Sequence, residues 1–148
     1  MKASQFSNRI ATKKKISEAQ TELALCYWRT GEINEGRDVL KEALSHLTTD
    51  SEVKAKAILR LAIIEHAAAQ DDKALRILTN HAPLFQKIQS QTLKGCYHIA
   101  LGNRLENLAE SRKRGDYIDR ALIEYAAASY HFEQAEHRYY LATVENTT

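Results

Sequence analysis

The side chains able to move protons, attack a carbonyl or ligate a metal are present but scattered. Histidines stand at His46, His66, His81, His98, His131 and His137, and the nearest two, His131 and His137, are six residues apart. On a regular helix that offset turns them about 240° from each other, so they cannot share one metal ion. Glu65-His66 and His131-Phe132-Glu133 place acid beside base along the chain. Neighbours on a helix point to different faces, so neither forms a general acid–base pair by itself. Cys26 and Cys96 have no zinc spacing and make no disulfide framework, and they read as free thiols. Gly31, Gly36, Gly95, Gly102 and Gly115 are isolated and none follows a strand, which leaves no phosphate-cradling loop. These residues predict no catalytic constellation, no metal, no cofactor and no enzyme activity.

Charge and aromatic residues narrow the classes further. The balance of 21 Lys and Arg against 19 Asp and Glu, net +2, is too even for a general polyanion binder, so no nucleic acid is expected. Lys13-Lys14-Lys15 reads as a solvated helix face. Arg112-Lys113-Arg114 falls where cations oppose the negative end of a helix dipole. Tyr125, Tyr130, Phe132, Tyr139 and Tyr140 would suit a base-stacking surface, but Tyr125 and Phe132 are two helical turns apart on one face, the spacing of core packing.

The elements that must position these residues are helical. Five Gly and one Pro, 44% hydrophobic and 27% charged residues in 148 describe one all-α domain with a real core. No unbroken apolar run precedes Thr12-Lys13-Lys14-Lys15, so no secretory signal is expected; the address is cytoplasmic and no membrane association is expected. Phe6, Ile10, Ile16, Ala19 and Leu23 continue one face into a first helix from about Phe6 to Thr30. Ile33, Gly36, Leu40, Ala43, Leu44 and Leu47 form the stripe of its partner, with Gly31 supplying a left-handed turn and small Ala24 and Gly36 allowing close approach.

Thr49 and Glu52 have capping-box spacing ahead of a helix bearing Ile58, Leu61 and Ala62. Asp71 or Asp72 is expected to cap the next helix, and Pro83 to end it. A further helix spans about Ser90 to Lys113, and Gly115-Asp116 supplies a stop and a new cap before Tyr117. Arg138 to Asn146 reads as a last amphipathic helix.

Leu23-Ala24, Tyr27, Gly31, Gly36, Leu40 and Ala43 resemble the tetratricopeptide repeat, which has a large-small pair, Tyr, Gly, a small residue, a large one and Ala at those offsets. Leu61-Ala62 and Leu101-Gly102 resemble further large-small pairs, and Gly115 to Ala121 is similar to the family's Gly-Asp-Tyr-x-x-Ala turn with one residue extra. The resemblance implies a right-handed superhelix of antiparallel helix pairs, about seven helices, with repeats at about 17–48, 51–82 and 90–135 and a half repeat at 137–147. Its long, irregular repeats resemble those of large bacterial regulators of the MalT-like group.

The resemblance also implies function. Its groove-facing positions fall on Thr21, Leu25, Trp28 and Arg29, then Leu59, Ile63 and His66, then Asn103 and Glu106. It implies a non-enzymatic protein- or peptide-binding scaffold, a fragment of a larger protein. The alternative is an effector-sensing or autoinhibitory module of a bacterial signalling or transcription protein. The family's carboxylate clamp is expected to be absent, because its positions hold Thr21 and Leu25, then Cys96 and Ala100. A half repeat would expose Tyr140, Leu141 and Val144, and a two-fold homodimer through them would bury that patch. Folding back onto Tyr125 and Phe132 is the other expectation for this end.

Overall fold

The computed structural model describes the backbone over residues 3–147 and the side chains of residue 5 and of residues 7–138. Within it there are seven helices and no strand: α1 (Ala3–Arg29), α2 (Ile33–His46), α3 (Glu52–Ala67), α4 (Asp71–Asn80), α5 (Ala82–Lys87), α6 (Gln91–Arg112) and α7 (Gly115–Thr147). None of the described helices is long and apolar enough to cross a membrane.

The turns explain the boundaries. At the end of α1, Gly31 takes φ +81, its N–H donates to Trp28 O at 3.1 Å and Glu32 N–H donates to Tyr27 O at 2.8 Å. This is a Schellman closure, with glycine where a left-handed residue is needed. The same closure ends α3 without a glycine. Ala69 adopts φ 60, its N–H donates to His66 O, and Gln70 N–H donates to Glu65 O at 2.8 Å. The closure makes Gln70 the cap of α4, correcting the expectation for Asp71 or Asp72; both lie inside the first turn instead. At the end of α6 the left-handed residue is Lys113, φ 53, and not Gly115, which already belongs to α7.

Two other caps differ in detail. Ser51, in extended conformation, accepts from Lys54 N–H at 3.2 Å and caps α3, so the Thr49–Glu52 box does not form. Pro83 does mark a boundary, but it opens the short helix α5 at a position where its missing N–H costs nothing. Through α5, Leu84 and Phe85 enter the core, and the Phe85 ring stacks on Tyr97 at 4.2 Å.

Packing follows the chain. Helices α1 and α2 form an antiparallel hairpin, in which a Cβ on Gly36 would lie 2.9 Å from Ile64 Cδ1 and 3.3 Å from Ala24 O. Helix α3 packs on α1, α2, α4 and α6, and α6 packs on α4 and α7. One buried cluster joins Ala24, Leu40, Val53, Ala57 and Ile64; the other joins Ile58, Leu78, Phe85, Leu93 and Tyr97. Leu44 and Ile77 touch both, so the core is continuous. Glu65, fully buried, fixes α3 to α2 through the Arg37 guanidinium and to α4 through Lys73 Nζ at 3.1 Å.

The α6–α7 hairpin has its own register device. Gly95 and Gly102 sit seven residues apart on α6, and a Cβ there would fall 2.6 Å from the Phe132 ring and 2.5 Å from the Tyr125 ring. Two aromatic rings of α7, also seven apart, therefore lie directly on glycine backbone. Helix α7 then runs unbroken to Thr147. No Gly or Pro stands after Gly115 to interrupt it, so residues 137–147 continue α7 and do not begin a separate half-repeat helix. Helix α5 takes the seventh place. The side chains of Tyr140, Leu141 and Val144, expected to mediate self-association, lie outside the described residues.

Candidate functional site

A cavity of about 520 Å³ opens between α1, α3 and α6, with α7 closing one side. Helical periodicity builds it. Leu59, Ala62, Ile63 and His66 recur at three and four residue steps on α3, and Cys96, Ala100 and Asn103 do the same on α6, so both helices turn one face to it. Trp28 comes from the last turn of α1, where the Gly31 closure fixes its direction. Phe132 comes from α7, held against Gly95.

The structure brings together Trp28, Leu59, Ile63, His66 and Asn103 of the expected groove residues. Leu59 is only 8% exposed, so it forms floor more than surface. Thr21 is corrected: it is buried, its hydroxyl donates to Ser17 O at 2.8 Å, and it borders a separate hollow with Lys14, Glu18 and Glu52. Ser17, likewise buried, donates its hydroxyl to Ala43 O on α2, so this face of α1 is turned to its neighbouring helices and not to the cavity of Trp28. Leu25 and Arg29 do not line the cavity, and Arg29 faces water. Glu106 is exposed and lies outside it, accepting from Tyr125 OH at 2.7 Å while the same hydroxyl reaches Asn103 Oδ1 at 2.8 Å.

The rim is polar and positive. His66 Nδ1 lies 2.7 Å from Asp71 Oδ1, and Arg104 Nε approaches the same oxygen at 3.2 Å. Asp71 can do this because it is not a helix cap. Burial lowers the basicity of Arg104, and the Asp71 charge opposes that. Lys56 and Arg60, one helical turn apart on α3, also line the cavity, with Glu22 as its one carboxylate. Burial pushes the Cys96 thiol up, with Arg60 pulling the other way; the group stays protonated and is a poor nucleophile at neutral pH. Lys56, Arg60, Arg104 and Phe132 were not among the expected groove residues, and Cys96 was named only as a clamp position without a cation. The spacing of Lys56 and Arg60 with Leu59 and Ile63 was the signal, since residues three and four apart on a helix share a face.

Glu65 and His66 diverge as neighbours on a helix must. Burial alone would raise the Glu65 carboxyl, but hydrogen bonds and charges from Arg37 and Lys73 outweigh it and hold the group below its ordinary value. Glu65 is therefore structural, while His66 faces the cavity.

A second cluster unites histidines far apart in sequence. The His98 and His131 rings stack at 5.3 Å, His98 Nδ1 lies 2.6 Å from Glu124 Oε2, and His131 Nδ1 lies 2.7 Å from Gln91 Oε1. Burial, His98 and Lys94 push the His131 pKa down. Among the described residues no three His, Cys, Asp or Glu side chains converge as a metal site. Arg112 and Arg114 are engaged with Asp72 and Asp116, and the Arg114 guanidinium lies 4.4 Å over the Tyr117 ring.

No protein-family model, no curated protein and no solved structure matches this chain.

Proposed function

We propose that the chain is a non-enzymatic binding scaffold for a protein or peptide, a tetratricopeptide-like solenoid in which the pairs α1–α2, α3–α4 and α6–α7 wind as a right-handed superhelix. The first helix of each pair lines the concave side, and recognition occurs there. The observation that carries this reading is the cavity itself: Trp28, Ile63, His66 and Asn103, drawn from three successive first helices, meet around one apolar depression of about 520 Å³. Trp28 is the hot spot, being the largest partly exposed apolar group at its edge and of the type most often found to dominate interfaces.

The volume also lies within the range of small-ligand sites, about 300 to 1,000 Å³. This favours, as the second reading, an effector-sensing module of a larger regulator that uses the same cavity.

The test uses peptides selected from a random library by the full chain. Trp28→Ser and Ile63→Ser should each weaken them about tenfold or more with helicity unchanged. Undiminished binding to both variants would remove the groove from the account.

A further inference from the structure

The cavity is apolar in its walls but unbalanced in charge. Lys56, Arg60 and Arg104 line it with the carboxylate of Glu22, and Asp71 at the rim lies 3.2 Å from Arg104, so three cations face two carboxylates and the excess falls on Lys56 and Arg60. Among the described residues neither Lys56 nor Arg60 forms an ion pair. Arg104 is only 7% exposed, and its approach to Asp71 lacks hydrogen-bond alignment. Arg60 Nε is buried with no acceptor, while Arg104 Nε has the Asp71 carboxylate 3.2 Å away. Unpaired buried donors are costly, and cations beside apolar walls attract an anion more strongly than they would in water.

We propose that the cavity is a site for an apolar carboxylate. Its hydrocarbon part, aromatic or branched, seats against Trp28, Ile63, Ile99 and Phe132, and its carboxylate accepts hydrogen bonds from the Arg60 guanidinium, with Lys56 and Arg104 adding charge. The planar guanidinium fork matches two carboxylate oxygens at once, which favours this group over a single polar atom. A free phosphate is disfavoured, because it has no hydrocarbon part to cover the apolar walls of Trp28, Ile63, Ile99 and Phe132. The inference rests on the cavity being a binding surface and specifies the chemistry of its occupant. It differs from the tetratricopeptide carboxylate clamp, whose positions here carry Thr21, Leu25, Cys96 and Ala100 and no cation.

The chain has one tryptophan, and it lines the cavity, so Trp28 fluorescence reports occupancy. The full chain is titrated with 4-phenylbutyrate and its neutral amide, then with an acetylated peptide ending in Leu-Phe as free acid and as amide, and with inorganic phosphate. Each acid is expected to bind saturably, about tenfold or more tighter than its amide. Arg60→Met should remove that preference, bringing the affinity of the acid down to that of its amide, and Arg60→Lys should restore part of it. Binding of the peptide acid would identify a chain terminus as the source, and binding of 4-phenylbutyrate alone a free small acid; either supports the proposal. Equal affinity for acid and amide overturns it, as does tighter binding of phosphate than of either acid. Absence of any saturable response to the acids also overturns it and leaves the scaffold reading to the library-selected peptides. The acid–amide comparison is made on the unaltered chain, so it stands even if the Arg60 variants do not fold.

Discussion

Gly102→Ala probes the way α7 is locked to α6. In an exposed helix interior, alanine is favoured over glycine by about 1 kcal/mol. Here the added Cβ would lie 2.5 Å from Tyr125 Cε1 and 2.8 Å from Cδ1. Carbon atoms prefer about 3.5 to 4.0 Å, so the ring must retreat by about 1 Å. It cannot do so freely, because its hydroxyl is held by Asn103 and Glu106. Overpacking of this kind costs about 1 to 3 kcal/mol, which leaves a net loss of about 1 kcal/mol after the propensity gain. In urea unfolding followed by circular dichroism, with a slope of about 2 kcal/mol/M, the midpoint should fall by about 0.5 M. In a Tyr125→Ala background the clash is absent, and the same substitution should become stabilising by up to about 1 kcal/mol. A stabilising Gly102→Ala in the unaltered chain, or the same sign in both backgrounds, would refute the ring-on-glycine register.

Other perturbations have equally definite signs. Glu65→Ala leaves Arg37, 19% exposed, without its buried partner, while Lys73, 44% exposed, regains water; chemical unfolding should show a loss of about 3 to 5 kcal/mol. Ala69→Gly and Lys113→Gly relieve left-handed residues that carry a β-carbon and should each raise stability by about 0.5 to 1 kcal/mol in the same assay. His131 binds its proton less readily folded than unfolded, where the pKa is 6.5. Stability from this group is therefore complete above that pH and falls as pH drops through it, and unfolding midpoints measured across the range should show a shallower acid decline for His131→Gln. Burial raises Tyr97 and Tyr125 to about 12, so stability should decline as pH rises above the ordinary value of 10, and Tyr97→Phe should lessen that decline.

The helix pairs could be read from the sequence because their signals are local. Gly31 with Ala24 and Gly36, the Ser90 start and the α2 stripe through Gly36, Leu40 and Ala43 depend on a few neighbours each, and the structure uses them as expected; the stripe of α1 is corrected, because Ile10, Ile16, Ala19 and Leu23 are exposed and the face that packs is Ser17, Thr21 and Ala24. Boundaries failed where a competing local solution existed. Ala69 and Lys113 adopt left-handed conformations without glycine, so the turns moved by one or two residues and Asp71 was released from capping to hold His66 and Arg104. Pro83 was legible as a boundary but not as the opening of α5, since a first-turn proline fits both. The continuity of α7 past residue 137 was hidden by the repeat pattern, although no breaker stands there.

The cavity was half legible. Offsets borrowed from a repeat pattern found Trp28, Ile63 and His66, but they also selected Thr21, which the seam between α1 and its neighbours buries. Arg60 and Arg104 escaped notice because their role depends on which residues three different helices bring opposite one another. His98 and His131 are 33 positions apart, and only the antiparallel register of α6 and α7 stacks them.

Recognition is proposed to occur on the face shared by α1, α3 and α6. Amide chemical shifts of the isotopically labelled full chain, recorded with and without a library-selected peptide, test it most directly. The largest changes should cluster at Trp28, from Lys56 to His66 and from Cys96 to Arg104, together with the Trp28 indole N–H. Changes concentrated on the outward faces of α2 and α4, with those positions unmoved, would contradict it.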